Sequence, residues 1–220
     1  MLLSEFDNRP MIRKDIVKMA KKHFNNVVVA PNTKYRERDK ITEKLVNAGW
    51  KYLDSGMASM AFLHPRTMHV LKINFRPDRA YDAFVNLIHE QPNIHFPIIH
   101  DVTYILKGQY NFKAYLMEYL EESRDSSWSL TTALLGVAIH AHQFKTLDDL
   151  KEKYYTYYET ISEYSYPEEL FLAAQCIGNF FRTHLSLIGR VDLHPGNIMK
   201  RSDGTVVITD PYFNDEDAEF

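Results

Sequence analysis

Apolar positions along this chain recur with two different periods, and the places where the period switches mark its organisation. Residues Pro10 to Phe24 read as a helix, with Asn8 as cap and Pro10 in the first turn. After Val27-Val28-Val29, Asn32 or Thr33 caps a second helix that Gly49 stops. From Trp50 the pattern becomes short and β-rich: Trp50 to Leu53, Met60 to Leu63 and Val70 to Phe75. Gly56 and His64-Pro65-Arg66 separate these runs, which predicts an antiparallel meander. Pro77-Asp78 opens a helix on which Ala80, Tyr81, Phe84, Val85 and Ile88 make one stripe, and Pro92 ends it. Two further strands, Ile98 to Leu106 and Tyr110 to Leu120, meet at Lys107-Gly108-Gln109. Residues 50–120 therefore read β-β-β-α-β-β.

The second half is mostly helical. Ser129 to Lys145 is expected as one helix, and Thr146 to Ser162 as another, opened by the capping sequence Thr146-Leu147-Asp148-Asp149. Pro167 to Ile188 is a third, closed by Gly189. Two short strands follow, Asn197 to Met199 and Val206 to Ile208, with Asp203-Gly204 as a two-residue hairpin signal. The acidic end, Asp215 to Phe220, is expected to fray.

Composition narrows the class. With 220 residues and 45% hydrophobic positions, the chain can build one ordinary domain or a compact pair of lobes, and wholesale disorder is excluded. Residues 1–48 hold 11 Lys+Arg and 6 Asp+Glu, against 15 and 23 in the remainder. Those charges read as the solvated face of an accessory segment, and no nucleic-acid partner is expected. Cys176 is the one cysteine, which fits a reducing cytoplasm and inert core packing. Apolar runs such as Ala133 to Ile139 fall far short of the roughly 20 residues of a membrane span. Met1 to Glu5 lacks the features of a signal peptide, so a soluble cytoplasmic protein is expected. His140 and His142, two apart on a helix, cannot share a zinc, and Tyr154, Tyr155, Tyr157 and Tyr158 read as packing.

The chemistry concentrates in Val191-Asp192-Leu193-His194-Pro195-Gly196-Asn197, with Thr209-Asp210-Pro211 following. Phosphoryl transfer from a nucleotide needs a carboxylate to orient the incoming hydroxyl and accept its proton. It also needs oxygen ligands for a divalent cation, and positive charge on the phosphates. An Asp-x-x-x-x-Asn loop supplies the base and one ligand from a single turn. A hairpin then returns the chain so that Asp210 faces the same ion.

This constellation resembles the protein-kinase-like superfamily, and His194 makes the loop similar to that of the aminoglycoside phosphotransferases (Asp-x-His-x-x-Asn). Val70-Leu71-Lys72-Ile73 resembles the kinase strand whose lysine holds the α- and β-phosphates. Tyr115 to Leu120 resembles a strand entering a kinase hinge. More closely, several runs resemble the early Ser/Thr protein kinases of autographivirus-type bacteriophages: Gly49-Trp50-Lys51-Tyr52-Leu53, Ala61-Phe62-Leu63-His64-Pro65, Ala80-Tyr81-Asp82-Ala83-Phe84, and Asp192 to Met199 with Ile208-Thr209-Asp210-Pro211. The resemblance implies an α+β, two-lobed kinase-like fold. Residues 1–48 would be a helical accessory segment, 49–120 a five-stranded N-lobe with one helix, and 121–220 a truncated, mostly helical C-lobe.

By the same resemblance, Asp192 would be the catalytic base, with Asn197 and Asp210 ligating Mg²⁺ and Lys72 holding ATP phosphates. Gly56 and Ser59 would flank a phosphate loop, although a single glycine there is equally an ordinary turn. Met117 would be the gatekeeper, with Glu118 to Leu120 meeting adenine. Asp82 is preferred over Glu90 as the partner of Lys72. His194 is either a neutral loop organiser or a phosphate donor. The implied activity is Ser/Thr phosphorylation of host proteins, including transcription machinery. A small-molecule kinase and an inhibitory pseudokinase are the alternatives. Val191 stands where regulated kinases carry arginine, and ten residues follow Asp210, so no activation segment is expected.

Overall fold

The computed structural model describes residues 34–56, 59–75, 78–107, 110–123 and 128–214. The expected helix from Pro10 to Phe24, the Val27–Val29 run, the caps at Asn32 and Thr33, the turn at Gly108-Gln109 and the acidic end lie outside them. The described residues form two compact units, one drawn from Met1–Arg76 and Ile99–Glu118, the other from Pro77–Ile98 and Tyr119–Phe220.

The first unit is an antiparallel five-stranded sheet under one helix. Helix α1 (Lys34–Asn47) precedes β1 (Lys51–Ser55), β2 (Ser59–His64) and β3 (His69–Asn74); β4 (Ile99–Lys107) and β5 (Tyr110–Glu118) complete the order β1-β2-β3-β5-β4. Residues alternate between the faces of a strand, and residues paired across an antiparallel ladder share a face. Met60, Phe62, Leu71, Ile73, Ala114 and Leu116 thus fall on one side, and they bury against Ile41 and Leu45 of α1. Burying each large apolar side chain contributes about 2 kcal/mol. The helix grouped on sequence with the accessory segment 1–48 is therefore half of this core.

The end of α1 is fixed as its sequence demands. Gly49 takes a left-handed φ of 93°, its N–H reaches Val46 O at 2.9 Å, and the Trp50 N–H reaches Leu45 O at 3.0 Å. That bond pair closes a Schellman turn, and buried Trp50 packs in one core with Leu45, the apolar contact that accompanies it.

In the second unit, α2 (Arg79–Glu90) is capped by Asp78, whose carboxylate accepts from the Tyr81 N–H. Its buried stripe includes Phe84, whose ring meets Phe96 at 5.6 Å and Tyr212 at 6.1 Å, both edge-to-face. By these contacts α2 belongs with the second unit, although the sequence pattern grouped it with the strands. The other helices are α3 (Trp128–Ile139), α4 (Leu147–Lys153), α5 (Tyr155–Ser162) and α6 (Pro167–Thr183). Two small antiparallel sheets join β6 (Glu121–Glu122), β8 (Ile198–Lys200) and β9 (Val206–Ile208), and β7 (Arg190–Val191) with β10 (Tyr212–Phe213).

Two expected helices are interrupted. The run from Ser129 to Lys145 leaves α-helix after Ile139 and passes through a 3₁₀ turn, Ala141–Gln143. The run from Thr146 to Ser162 breaks at Tyr154, after the Thr146/Asp149 capping box that its sequence signals. Tyr154 leaves helical dihedrals, stacks on His140 and Tyr157, and meets Phe144 edge-on. Aromatic packing here outweighs helical continuity, which propensity alone does not register. The third helix stops at Thr183, short of the expected Ile188.

One connecting segment, residues 93–96, is bound on two sides. Arg201 donates to Ile94 O and Phe96 O, and the Ile208 N–H donates to His95 O at 2.8 Å. On the other side, the Asn93 amide donates to Glu169 O at 2.9 Å. The buried His95 ring lies between, with Nδ1 2.7 Å from Val206 O and Nε2 3.1 Å from Tyr166 O. Burial pulls the His95 pKa below its ordinary value, against the upward pull of those two carbonyls. Tyr166 itself is left-handed (φ 57°), a conformation that costs a non-glycine residue about 1 kcal/mol or more.

Helices α3 and α6 cross where both present small residues. A Cβ placed on Gly178 would lie 1.9 Å from Ala138 O, a backbone atom that cannot move aside. We therefore expect Gly178→Ala to cost about 3 kcal/mol or more, because overpacking here must part the helices. Urea denaturation checks this, and a loss below about 1 kcal/mol would mean that the two helices separate easily.

Candidate functional site

The expected residues divide between the units. In the first, Lys72 sits mid-strand on β3, between Ala61 of β2 and Tyr115 of β5. Val70 pairs with Met117 and Ser59 with Asn74. Alternation then places Ser59, Ala61, Val70, Lys72, Tyr115 and Met117 on one face, opposite the face that α1 covers. So the sheet has a structural side and a side that gathers the expected nucleotide residues. Gly56 stands exposed at the turn before β2 and donates its N–H to Ser59 O at 3.0 Å. Its φ is not in the left-handed region, so this glycine is held by an ordinary turn bond. Glu118 ends β5.

The second unit holds the others. Asp82 lies in the first turn of α2, Glu90 is exposed at the end of that helix, and Leu120 is buried. The loop from Asp192 to Asn197 is framed by two ladders. Val191 pairs with Tyr212 and Arg190 with Phe213, and the Asp192 N–H extends that pairing to Pro211 O at 2.7 Å. Ile198 pairs with Ile208 at the other end. These ladders bring residues 192 and 210 together, although they are far apart along the chain.

Asn197 ties them. Its Nδ2 donates to Asp192 O at 2.9 Å and to Asp210 O at 2.6 Å. In return its own carbonyl accepts from the Thr209 N–H at 2.9 Å and from the Thr209 hydroxyl at 3.2 Å. With both amide hydrogens on backbone carbonyls, Oδ1 is the acceptor this side chain offers a cation. Oδ1 and the Asp210 carboxylate are the hard oxygen donors that suit Mg²⁺, which takes few protein ligands and keeps phosphates and waters. His194 contributes differently: its ring Nδ1 accepts from the Gly196 N–H at 3.1 Å, and its Nε2 lies 3.9 Å from Asp192 Oδ2.

The return hairpin departs from expectation in detail. Arg201 N–H to Thr205 O and Gly204 N–H to Arg201 O, each 2.9 Å, close a three-residue loop of Ser202, Asp203 and Gly204 in place of a two-residue turn. Gly204 is left-handed at φ 87°, and the Asp203 carboxylate accepts from the Thr205 N–H at 2.9 Å. That bond pulls the Asp203 pKa down. Beyond the loop, the Tyr212 hydroxyl donates to Ile177 O at 2.9 Å, and burial drives its pKa upward. Sequence reading missed the two-residue strands β7 and β10, which are too short to carry a period. It named Thr209 within the Asp210 run but gave it no role, which is visible only in the bonds it makes.

The family model described as bacteriophage T7 protein kinase 0.7 matches residues 10–219. Among solved structures, the chain is similar to the MAP kinase LmaMPK10 from Leishmania major, at 16% identity and a TM-score of 0.36. That match covers 79% of this chain and 49% of the other, so the chain spans about half the length of that kinase. No curated protein sequence matches.

Because one amide spans two loops, Asn197→Ala is expected to destabilise the protein by about 2 kcal/mol while leaving two carbonyls unpaired. Asn197→Asp removes the donors but keeps an oxygen, and should cost at least as much. Hydrogen exchange at the Asp192 and Thr209 amides reads the loosening. Unchanged protection in both variants would mean that the ladders hold the loops without Asn197.

Proposed function

The chain belongs to the bacteriophage T7 protein kinase family, and we propose that it transfers the γ-phosphate of ATP to serine and threonine hydroxyls of host proteins, transcription machinery included. The observation that carries this reading is the single Asn197 amide holding the backbones of Asp192 and Asp210 together. A base and a metal site fixed to one another are what in-line phosphoryl transfer asks of a protein, since positioning and charge do most of the work.

The roles follow from chemistry. Asp192 orients the acceptor hydroxyl and takes its proton. Asn197 Oδ1 and Asp210 hold Mg²⁺, which when bound neutralises charge on the phosphates. Lys72, from the sheet face opposite α1, meets the α- and β-phosphates, with Asp82 as its partner. The Gly56–Ser59 turn covers the phosphates, Met117 borders the adenine pocket, and the backbone from Glu118 to Leu120 binds the base. The setting is the host cytoplasm; no helix among the described residues is long and apolar enough to cross a membrane. His194 in the loop is the feature that favours a small-molecule acceptor instead.

Radiolabelled ATP offered to host lysate, and separately to aminoglycosides and sugars, divides these readings. Protein labelling should fall by about a thousandfold in Asp192→Asn. Labelling confined to the small alcohols would replace the protein-kinase reading, and labelling that survives Asp192→Asn would end it. Lys72→Met should raise the KM for ATP and lower kcat, and Lys72→Arg should fail almost as badly, because the broad guanidinium cannot place a point charge in the same space. Asp82→Ala should show a milder defect of that kind and Glu90→Ala almost none; the reverse order would move the ion pair to Glu90.

A further inference from the structure

We propose that His194 is a positioning residue for Asp192, locked by the Gly196 amide in the tautomer that carries its proton on Nε2. The inference rests on the kinase reading of Asp192. A ring nitrogen that accepts a backbone N–H holds a lone pair, so the 3.1 Å bond from Gly196 to Nδ1 excludes a proton there. The neutral ring must then bear its hydrogen on Nε2, and Nε2 is the nitrogen that faces Asp192 Oδ2 at 3.9 Å. At 3.9 Å the attraction is electrostatic and longer than a hydrogen bond, and it biases the carboxylate so that the other oxygen is left for the acceptor hydroxyl.

The charged form of the alternative role, a cationic donor to the γ-phosphate, needs a doubly protonated ring. That form would set an N–H on Nδ1 against the Gly196 N–H and break the turn that this bond caps. The packing agrees with the lock. A Cβ on Gly196 would lie 2.9 Å from His194 Cε1 and 3.1 Å from Nδ1, so the bare glycine is what lets the ring lie down against the turn. Gly196 does not take a left-handed φ, so its lack of a side chain serves the ring and not the backbone.

Substitutions separate the two ends of the ring. Asparagine can accept the Gly196 N–H where Nδ1 did but has nothing at the Nε2 position. Glutamine carries its amide out to that position, and lysine supplies the cation. We expect His194→Asn to keep the melting temperature and the KM for ATP while kcat falls about tenfold, with His194→Gln recovering part of the loss and His194→Lys none. Gly196→Ala should match His194→Asn, since it displaces the ring and strains no backbone. Long-range nitrogen–proton NMR of the wild type should show His194 as the Nε2–H tautomer, a readout that needs no substrate.

An Nδ1–H tautomer, full activity in His194→Asn, or wild-type kcat in His194→Lys would each overturn the assignment while leaving the kinase reading intact. A wild type no more active than Asp192→Asn would overturn both.

Discussion

The amide of Asn197 bonds to the carbonyls of two residues that the chain brings together only by folding, and the candidate site depends on it. Asp192 and Asp210 sit in separate loops, each at the end of a two- or three-residue strand. Ladders that short are weak alone. A side chain that donates to both loops, while its own carbonyl is held by Thr209, turns them into one body. A network in which every member is satisfied is worth more than its separate bonds, because the cost of breaking one falls on the others.

Further from the site, support comes from packing and from the segment 93–96. Arg201 and Ile208, on either side of the hairpin, grip its carbonyls, while Asn93 and His95 reach the start of α6. Tyr212 adds a third tie, with its ring against Phe84 and its hydroxyl on Ile177 O. The residue after Pro211 is therefore an anchor. The strain at Tyr166 is tolerated because its carbonyl accepts the Leu170 N–H that begins α6 and lies 3.1 Å from His95 Nε2.

Much of the fold was legible in the sequence because the relevant signals were local. Five strands, the α2 stripe, the Thr146 capping box and the Gly49 stop each follow from a period or a single special residue. The loop residues Asp192, His194, Asn197 and Asp210 could be singled out as candidates because the chemistry proposed for them is tied to a spacing. Other features were not legible, because they depend on contacts made only on folding. The break at Tyr154 comes from rings brought in from other turns. The three-residue hairpin depends on where Gly204 falls relative to the ladder. The role of α1 as half of a core could not be read from its charged sequence, in which Ile41 and Leu45, among the described side chains, mark the buried side.

That last feature bears on how the protein could be cut down. A fragment beginning at Gly49 would retain all five strands and every residue assigned to ATP. It would also present Phe62, Leu71, Ile73 and Leu116 to water as a continuous apolar sheet face. Such a face finds another copy of itself. The smallest soluble piece of this protein is therefore set by the helix that shields the sheet, and not by where the recognisable chemistry starts.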